Sequence, residues 1–276
     1  MQGIIIKIVS NDYTIKTTEG IYVCKARGRF RKEKITPLVG DTCIFDKEKK
    51  YIIEIEKRKN ELVRPPVANI DQAFIITSAK QPDFSSNLLD KLLCIIEYNN
   101  IKPIICFTKL DLLNENETKE INEIINYYKK IGYKVFINTE IEEIRKSFKD
   151  KKTVFTGQSG AGKSTLLNRI DKNLNLKTDE ISLALGRGKH TTRHVELMEI
   201  YGGLIADTPG FSSLDFIGMT NEDIRDNFIE FNEYRENCEY KDCMHIKENK
   251  CEIKNQIEKN NILNSRYENY MKFIKR

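Results

Sequence analysis

One nine-residue run limits this chain's folding options more than any other feature. "GQSGAGKST" (Gly157–Thr165) matches G-x-x-x-x-G-K-[ST], directly after the apolar "KTVFT" and directly before the helical "STLLNRI". Gly157, Gly160 and Gly162 let the backbone curl. Successive N–H groups, those of Gln158, Ser159 and Ala161 among them, then point inward at a helix N-terminus and make a nest for phosphate oxygens. The Lys163 ammonium is placed to reach β- and γ-phosphates, the Ser164 hydroxyl to ligate Mg²⁺, and Thr165 to meet an α-phosphate. Such a strand–loop–helix unit belongs in a mainly parallel α/β sheet, and the flanking sequence has to supply one.

It does. From residue 66 to 217, strand-like runs ("QAFIITS", "KPIICFT", "YKVFIN", "KTVFTG") alternate with helix-like ones ("SSNLLDKLLCIIEYNN", "ETKEINEIINYYKKIG"), which predicts a parallel sheet with helices on both faces. "VELMEI" and "GLIADT", joined through "YGG", read as an antiparallel hairpin at one edge. Residues 1–65 contain no convincing helix. "GIIIKIVS", "DYTIKTT", "IYVCKAR", "DTCIFD" and "YIIEIEK" read as five short strands, enough for a small β-barrel, with "RPP" (Arg64–Pro66) as a linker. Residues 218–276 are polar and helix-prone. The expectation is therefore a multidomain chain: barrel, α/β P-loop domain, mainly α C-terminal domain.

The net charge of +5 is concentrated at one end, since residues 1–65 hold 15 Lys/Arg against 9 Asp/Glu while the rest of the chain balances. No apolar run approaches the ~20 residues of a bilayer span, so no membrane partner is expected. "MQGIIIKIVSNDY" lacks the features of a signal peptide, which makes the cytoplasm the default location.

The phosphate loop does not choose the base, and an ABC-type ATPase would suit it equally. Against that stand the missing LSGGQ-like stretch and the lack of an apolar run ending in Asp-Glu. Instead "LIADTPG" (Leu204–Gly210) carries a D-x-x-G element, in which Asp207 would hold Mg²⁺ through water and the Gly210 N–H would sense a γ-phosphate. Between them lies "LGRGKHTTRH". Its Thr191 or Thr192 would complete the Mg²⁺ shell when a γ-phosphate is present, as a switch loop does, and a solvated basic loop is the alternative. "TKLD" (Thr108–Asp111) matches the guanine-reading [NT]-K-x-D. Asp111 would accept from the ring N–H and exocyclic amine of guanine, donors that adenine lacks there, while the Lys109 stem covers the base. The order is guanine reader, phosphate loop, switch, D-x-x-G: the usual cycle opened at a different point, with residues 138–152 as the bridge over the old termini.

Cys24, Cys43, Cys94 and Cys106 are scattered in apolar segments and read as reduced structural thiols. Cys238, Cys243, His245 and Cys251 are spaced C-x4-C-x-H-x5-C, which suits a closed tetrahedral Zn²⁺ site of structural type; a disulfide with a spare thiol is the alternative.

With "RGRFR", "VGD", "RPPVANIDQ", "TKLDLL", "GQSGAGKSTLLN", "GRGKHTTRHVEL", "DTPGF", the Cys/His set and "RYENY", the chain resembles, over nearly its whole length, the circularly permuted, small ribosomal subunit-dependent GTPases of the RsgA (YjeQ/YloQ) family. The resemblance implies an OB-fold at 1–65, a circularly permuted G domain at 66–217 and a zinc domain at 218–276. It implies GTP hydrolysis to GDP and phosphate, stimulated by the small ribosomal subunit during late maturation. Contact with its rRNA is implied too, by a protein acting as a monomer. Phe211 stands where many GTPases carry a water-orienting Gln, so His190, matching the family's switch histidine, is expected to serve beside Lys163. "KARGRFRKEK" then offers Lys25, Arg27, Arg29, Phe30, Arg31 and Lys32 for phosphate contacts and base stacking, with Tyr13 and Tyr22 nearby; a solvated charge run is the plain alternative. The family usually has Asn at Thr108 and Ser-Ala at Asn138-Thr139. "SAK" (Ser78–Lys80) precedes "TKLD" and reads as a strand end. Two other functions compete: an RNA-binding assembly module using nucleotide only as a lock, and an adenine-nucleotide enzyme.

Overall fold

The computed structural model describes residues 1–28, 30, 35–63, 66–174, 195–207 and 215–275, the side chains of Asn173 and Asp207 excepted. The expected Arg29, Arg31, Lys32, His190, Thr191, Thr192, Gly210 and Phe211 lie outside the described residues.

Five strands form the N-terminal barrel: β1 (Gln2–Val9), β2 (Asp12–Lys16), β3 (Ile21–Ala26), β4 (Thr42–Asp46) and β5 (Tyr51–Ile55). They run in the order β1-β2-β3-β5-β4, and β4 pairs back onto β1, so the sheet closes and leaves no free edge. Alternation fills it. Ile5, Tyr13, Ile15, Cys24, Cys43, Phe45 and Ile52 point inward, and Phe30 joins them. Phe30 is 4% exposed and Tyr13 8%, while Tyr22 leans on Phe45 at 5.4 Å between ring centroids. This corrects the sequence reading. The aromatic rings near the basic run pack the barrel interior, so Phe30 is not a base-stacking surface.

The described residues on either side of Arg64 and Pro65 pair with each other. β6 (Glu61–Val63) pairs antiparallel with β7 (Pro66–Ala68), and Leu62 and Val67 are buried with Val39 in the core of the central domain. A Pro–Pro pair reads as a spacer, but Pro66 sits where an edge strand tolerates a missing N–H.

The central sheet runs β10 (Lys134–Ile137), β9 (Lys102–Thr108), β8 (Gln72–Ser78), β11 (Lys152–Gly157), β13 (Gly203–Asp207) and β12 (Glu196–Ile200). All neighbours are parallel except the β12–β13 hairpin, which is antiparallel as read from "YGG" but not at an edge, because β1 of the barrel pairs with β12. The faces divide by residue parity. Ala73 and Ile75 of β8 meet α1 (Ser86–Tyr98) and α2 (Glu115–Lys130), through Leu89, Leu92, Ile121 and Ile125. Phe74 and Ile76 meet α3 (Ile141–Lys146) and α4 (Lys163–Ile170), through Ile144, Leu166 and Ile170. Local chemistry fixes the helix starts. Ser85 caps α1, and Asn114 with Glu117 forms a reciprocal capping box on α2. The bridge at 138–152 contains α3 and carries the chain from edge strand β10 to central β11.

Barrel and central sheet are continuous. β1 pairs antiparallel with β12, Lys7 opposite Glu196, giving an eleven-stranded sheet among the described residues. A 2.8 Å ion pair joins those two side chains, and Lys16 pairs with Glu199 beside it. Ile4 and Ile6, on the outside of the barrel, pack on the central core, and Ile8 touches both that core and the barrel's own.

The C-terminal segment contains α5 (Asn221–Asp226), α6 (Ile229–Tyr234), α7 (Glu252–Glu258) and α8 (Asn264–Ile274). Its core of Phe228, Phe231, Ile253, Tyr270 and Phe273 takes in Cys94 and Ile95 of α1. Beneath lies a buried charge cluster. The Arg266 guanidinium donates to both Glu230 oxygens and to Asp90 Oδ1, each at 2.7 Å. Tyr128 and Asn269 also donate to Asp90, at 2.5 and 2.6 Å. Burial works against the arginine's charge, but Asp90 and Glu230 outweigh it and push its pKa up.

Candidate functional site

In a parallel sheet every strand's carboxyl end emerges on the same side, so segments far apart in sequence meet there. The phosphate loop follows β11, "TKLD" follows β9, and Asp207 ends β13. "SAK" closes β8, where Ser78 Oγ donates to the Lys80 carbonyl at 2.7 Å and Lys80 binds Glu117 at 2.8 Å; it is a strand end, as expected. Asn138, after β10, joins the same rim through its N–H to the Phe107 carbonyl at 2.9 Å.

The phosphate loop owes its path to glycine. Gly157 has φ +132°, and a Cβ there would lie 2.0 Å from the Ile76 carbonyl oxygen, so no other residue fits against β8. Gly162, at φ +91°, turns the chain into α4. Ala161 and Ser164 are buried, whereas Ser159, Gly160 and Thr165 are exposed. Lys163 Nζ donates to the carbonyls of Gly157 and Gln158 at 3.0 Å each, and burial lowers its pKa below the ordinary lysine value. A phosphate beside it would favour the charged form.

"TKLD" reaches this loop directly. The Thr108 hydroxyl donates to the Ala161 carbonyl at 2.6 Å across 53 residues of sequence. Lys109, itself at φ +59°, sends Nζ to the Gly160 carbonyl at 2.8 Å and to the Gln81 carbonyl. Asp111 follows in a short 3₁₀ turn, Leu110–Leu112, exposed and with no hydrogen bond or ion pair to the described residues. A carboxylate left free beside a phosphate nest is what a guanine contact requires. Asp207 is placed at the same rim by its backbone, paired opposite Glu196.

The metal-ligand set also converges. The ligand atoms of Cys238, Cys243, His245 and Cys251 lie within 4.8 Å of one another, and all seven cysteines are free thiols. His245 Nδ1 faces Cys251 Sγ at 3.3 Å and Cys238 Sγ at 3.7 Å, so it is the imidazole nitrogen turned toward the sulfurs. Burial, with help from Arg225, lowers the His245 pKa to about 4 and keeps it neutral. Burial pushes Cys243 up to about 12, offset by the His245 N–H and reinforced by the neighbouring thiols. Three soft donors and a neutral imidazole in this space fit one Zn²⁺, which would turn the thiols into thiolates.

Sequence reasoning missed what "RYENY" does. Arg266 and Asn269 hold Asp90, while Tyr267 and Tyr270 donate to the His245 and Met244 carbonyls at 2.6 Å each. One helix thus ties the metal loop to α1. It also missed Tyr51. This residue is 41% exposed on the barrel's outer surface and lies opposite Lys25 in the β3–β5 ladder, with Val23 and Ile53 also outward. The strand parity of β5 was the available signal.

Among the described residues no helix is long and apolar enough to cross a membrane. The RsgA GTPase family matches residues 55–217, and the RsgA N-terminal domain matches residues 2–52. The chain is 48% identical to a small ribosomal subunit biogenesis GTPase RsgA of Latilactobacillus sakei, over 98% of this chain and 94% of that one. It also resembles the crystal structure of YloQ, a circularly permuted GTPase, with TM-score 0.85 and 40% identity, covering 99% and 93% of the two chains. YjeQ from Thermotoga maritima superposes with TM-score 0.87 at 32% identity, covering 99% and 97%.

Proposed function

The chain belongs to the RsgA GTPase family, and from that premise we propose that it hydrolyses GTP in the maturation of the small ribosomal subunit, with that subunit stimulating turnover. The Thr108–Ala161 hydrogen bond carries this reading, because it seats the guanine motif against the phosphate loop despite their reversed order.

The roles follow from the motifs. Asp111 takes the guanine donors, with Thr108 and Lys109 at its side. The backbone from Gly157 to Thr165 cradles the phosphates, and Lys163 meets the β/γ bridge. Mg²⁺, which screens phosphate charge in such sites, would be held by Ser164, by Asp207 through water and by Thr191 or Thr192. Gly210 senses the γ-phosphate, and His190 orients the attacking water. Phosphoryl transfer asks for positioning and charge stabilisation rather than a covalent step, which these residues supply.

Zn²⁺ held by Cys238, Cys243, His245 and Cys251 is structural, since four protein ligands leave no place for a reacting water. The barrel binds rRNA electrostatically through Lys25, Arg27, Arg29, Arg31 and Lys32, with Tyr51 rather than Phe30 as the stacking ring. We assign the protein to the cytoplasm as a monomer.

The test is GTP turnover with and without purified small subunits. Stimulation by the subunit supports the reading, and turnover that ignores it favours the assembly-module alternative. His190→Ala is expected to keep GTP binding and lose the stimulated rate; unchanged stimulated turnover removes His190 from the mechanism.

A further inference from the structure

Thr108 stands at the seam between the two halves of the pocket, and its hydrogen bonds limit what it can do. Its hydroxyl meets the Ala161 carbonyl at 2.6 Å, and the other acceptor in reach, the Thr77 carbonyl, lies at 3.4 Å. A hydroxyl has one hydrogen to give. Here it goes to the phosphate loop. Thr108 is 2% exposed, and Gly162 closes over it, a Cβ placed on that glycine lying 3.8 Å from Thr108 Oγ1. Guanine's N7 and O6 are both acceptors, so only a donor reads them. An asparagine amide has two hydrogens and could serve loop and base together; a threonine cannot.

We propose that Thr108 is a positioning residue, bracing the phosphate loop from the base-reading segment without reading the base, so that purine choice rests on Asp111. This deepens the GTP assignment above and depends on it. The physical reason lies in how a nest is built. Its N–H groups converge on one side only if its carbonyls are held on the other. Thr108 holds the Ala161 carbonyl, and Lys109 holds that of Gly160. Both residues at the head of "TKLD" therefore act on the back of the loop, and loss of the Thr108 proton weakens phosphate binding whatever base is attached.

Competition against a fluorescent GDP analogue on the full-length protein tests this, with GTP and 7-deaza-GTP as competitors. The wild type is expected to bind the two within about twofold of each other. Thr108→Val should weaken both equally, by about 5- to 10-fold for one buried hydrogen bond, and Thr108→Ser should keep wild-type affinity. Thr108→Asn, supplying a second hydrogen, should create a preference for GTP over 7-deaza-GTP. A wild-type preference of about fivefold or more that Thr108→Val abolishes would overturn the proposal, for Thr108 would then be reading N7. Thr108→Val binding like wild type would overturn it as well. ATP competing as well as GTP would sink the guanine assignment and this inference with it, a result distinct from either. Should Thr108→Val fail to fold, the serine and asparagine variants still decide the matter.

Discussion

Arg266→Met tests the buried charge cluster under the C-terminal domain. The side chains of Arg266, Asp90 and Glu230 are 1%, 0% and 2% exposed, and the arginine supplies three 2.7 Å hydrogen bonds among them. Methionine fills much of the volume but strands two carboxylates without a cation. Removing one partner of a buried pair costs about 3–5 kcal/mol. Tyr128 and Asn269 still hold Asp90, so the loss is not doubled, and about 4 kcal/mol is the working figure. At roughly 2–4 °C per kcal/mol for a chain of this size, Tm should fall by about 8–16 °C in thermal melts followed by circular dichroism. The pH dependence has a definite sign. Burial raises the Asp90 pKa above its unfolded value, so the penalty is full above the folded pKa and fades as pH falls toward the unfolded one. Arg266→Met combined with Asp90→Asn and Glu230→Gln should recover much of the loss. A single variant melting within about 2 °C of wild type at neutral pH would refute the argument that this cluster clamps the domain.

Gly157→Ala should cut GTP affinity at least about tenfold, because its Cβ would meet the Ile76 carbonyl at 2.0 Å; unchanged binding in a calorimetric titration would contradict the close-approach reading. Purified protein should carry one zinc per chain by atomic absorption, and Cys243→Ser should lose it together with C-terminal stability. Tyr51→Ala should weaken single-stranded RNA binding by about 1–3 kcal/mol in filter assays, and wild-type affinity would remove Tyr51 from the interface. Burial raises Glu97 to about 7, partly offset by Arg266, so its charge penalty is absent below the unfolded carboxyl range and full above about 7. Glu97→Gln should therefore raise Tm at pH 8 and leave it unchanged at pH 4; equal shifts at both would rule out titration as the cause.

Local chemistry made much of this legible in advance. The phosphate loop and the Cys/His spacing each depend on a few neighbours along the chain. The five barrel strands and the reversed motif order were readable because period and order survive without coordinates. Phe30 was misjudged because a charged run hides which way one ring points; that depends on barrel closure between β4 and β1. Proline in "RPP" reports a missing donor and says nothing of the flanking residues, whose pairing as β6 and β7 the sequence did not show. Arg266 escaped notice because its partners lie 36 and 176 residues away. Burial of a charge is a property of the packed molecule alone.

The shared seam between β1 and β12 changes what counts as a transferable part. A chimera cut at residues 64–65 would keep every barrel strand yet break a sheet, discarding the Lys7–Glu196 match and the isoleucines seated beyond it. Swapping barrels between relatives thus calls for grafting β12 along with them, and β12 is also the strand that leads back from residues 175–194. Two domains share that one strand, so a substitution along the β1–β12 ladder touches both at once.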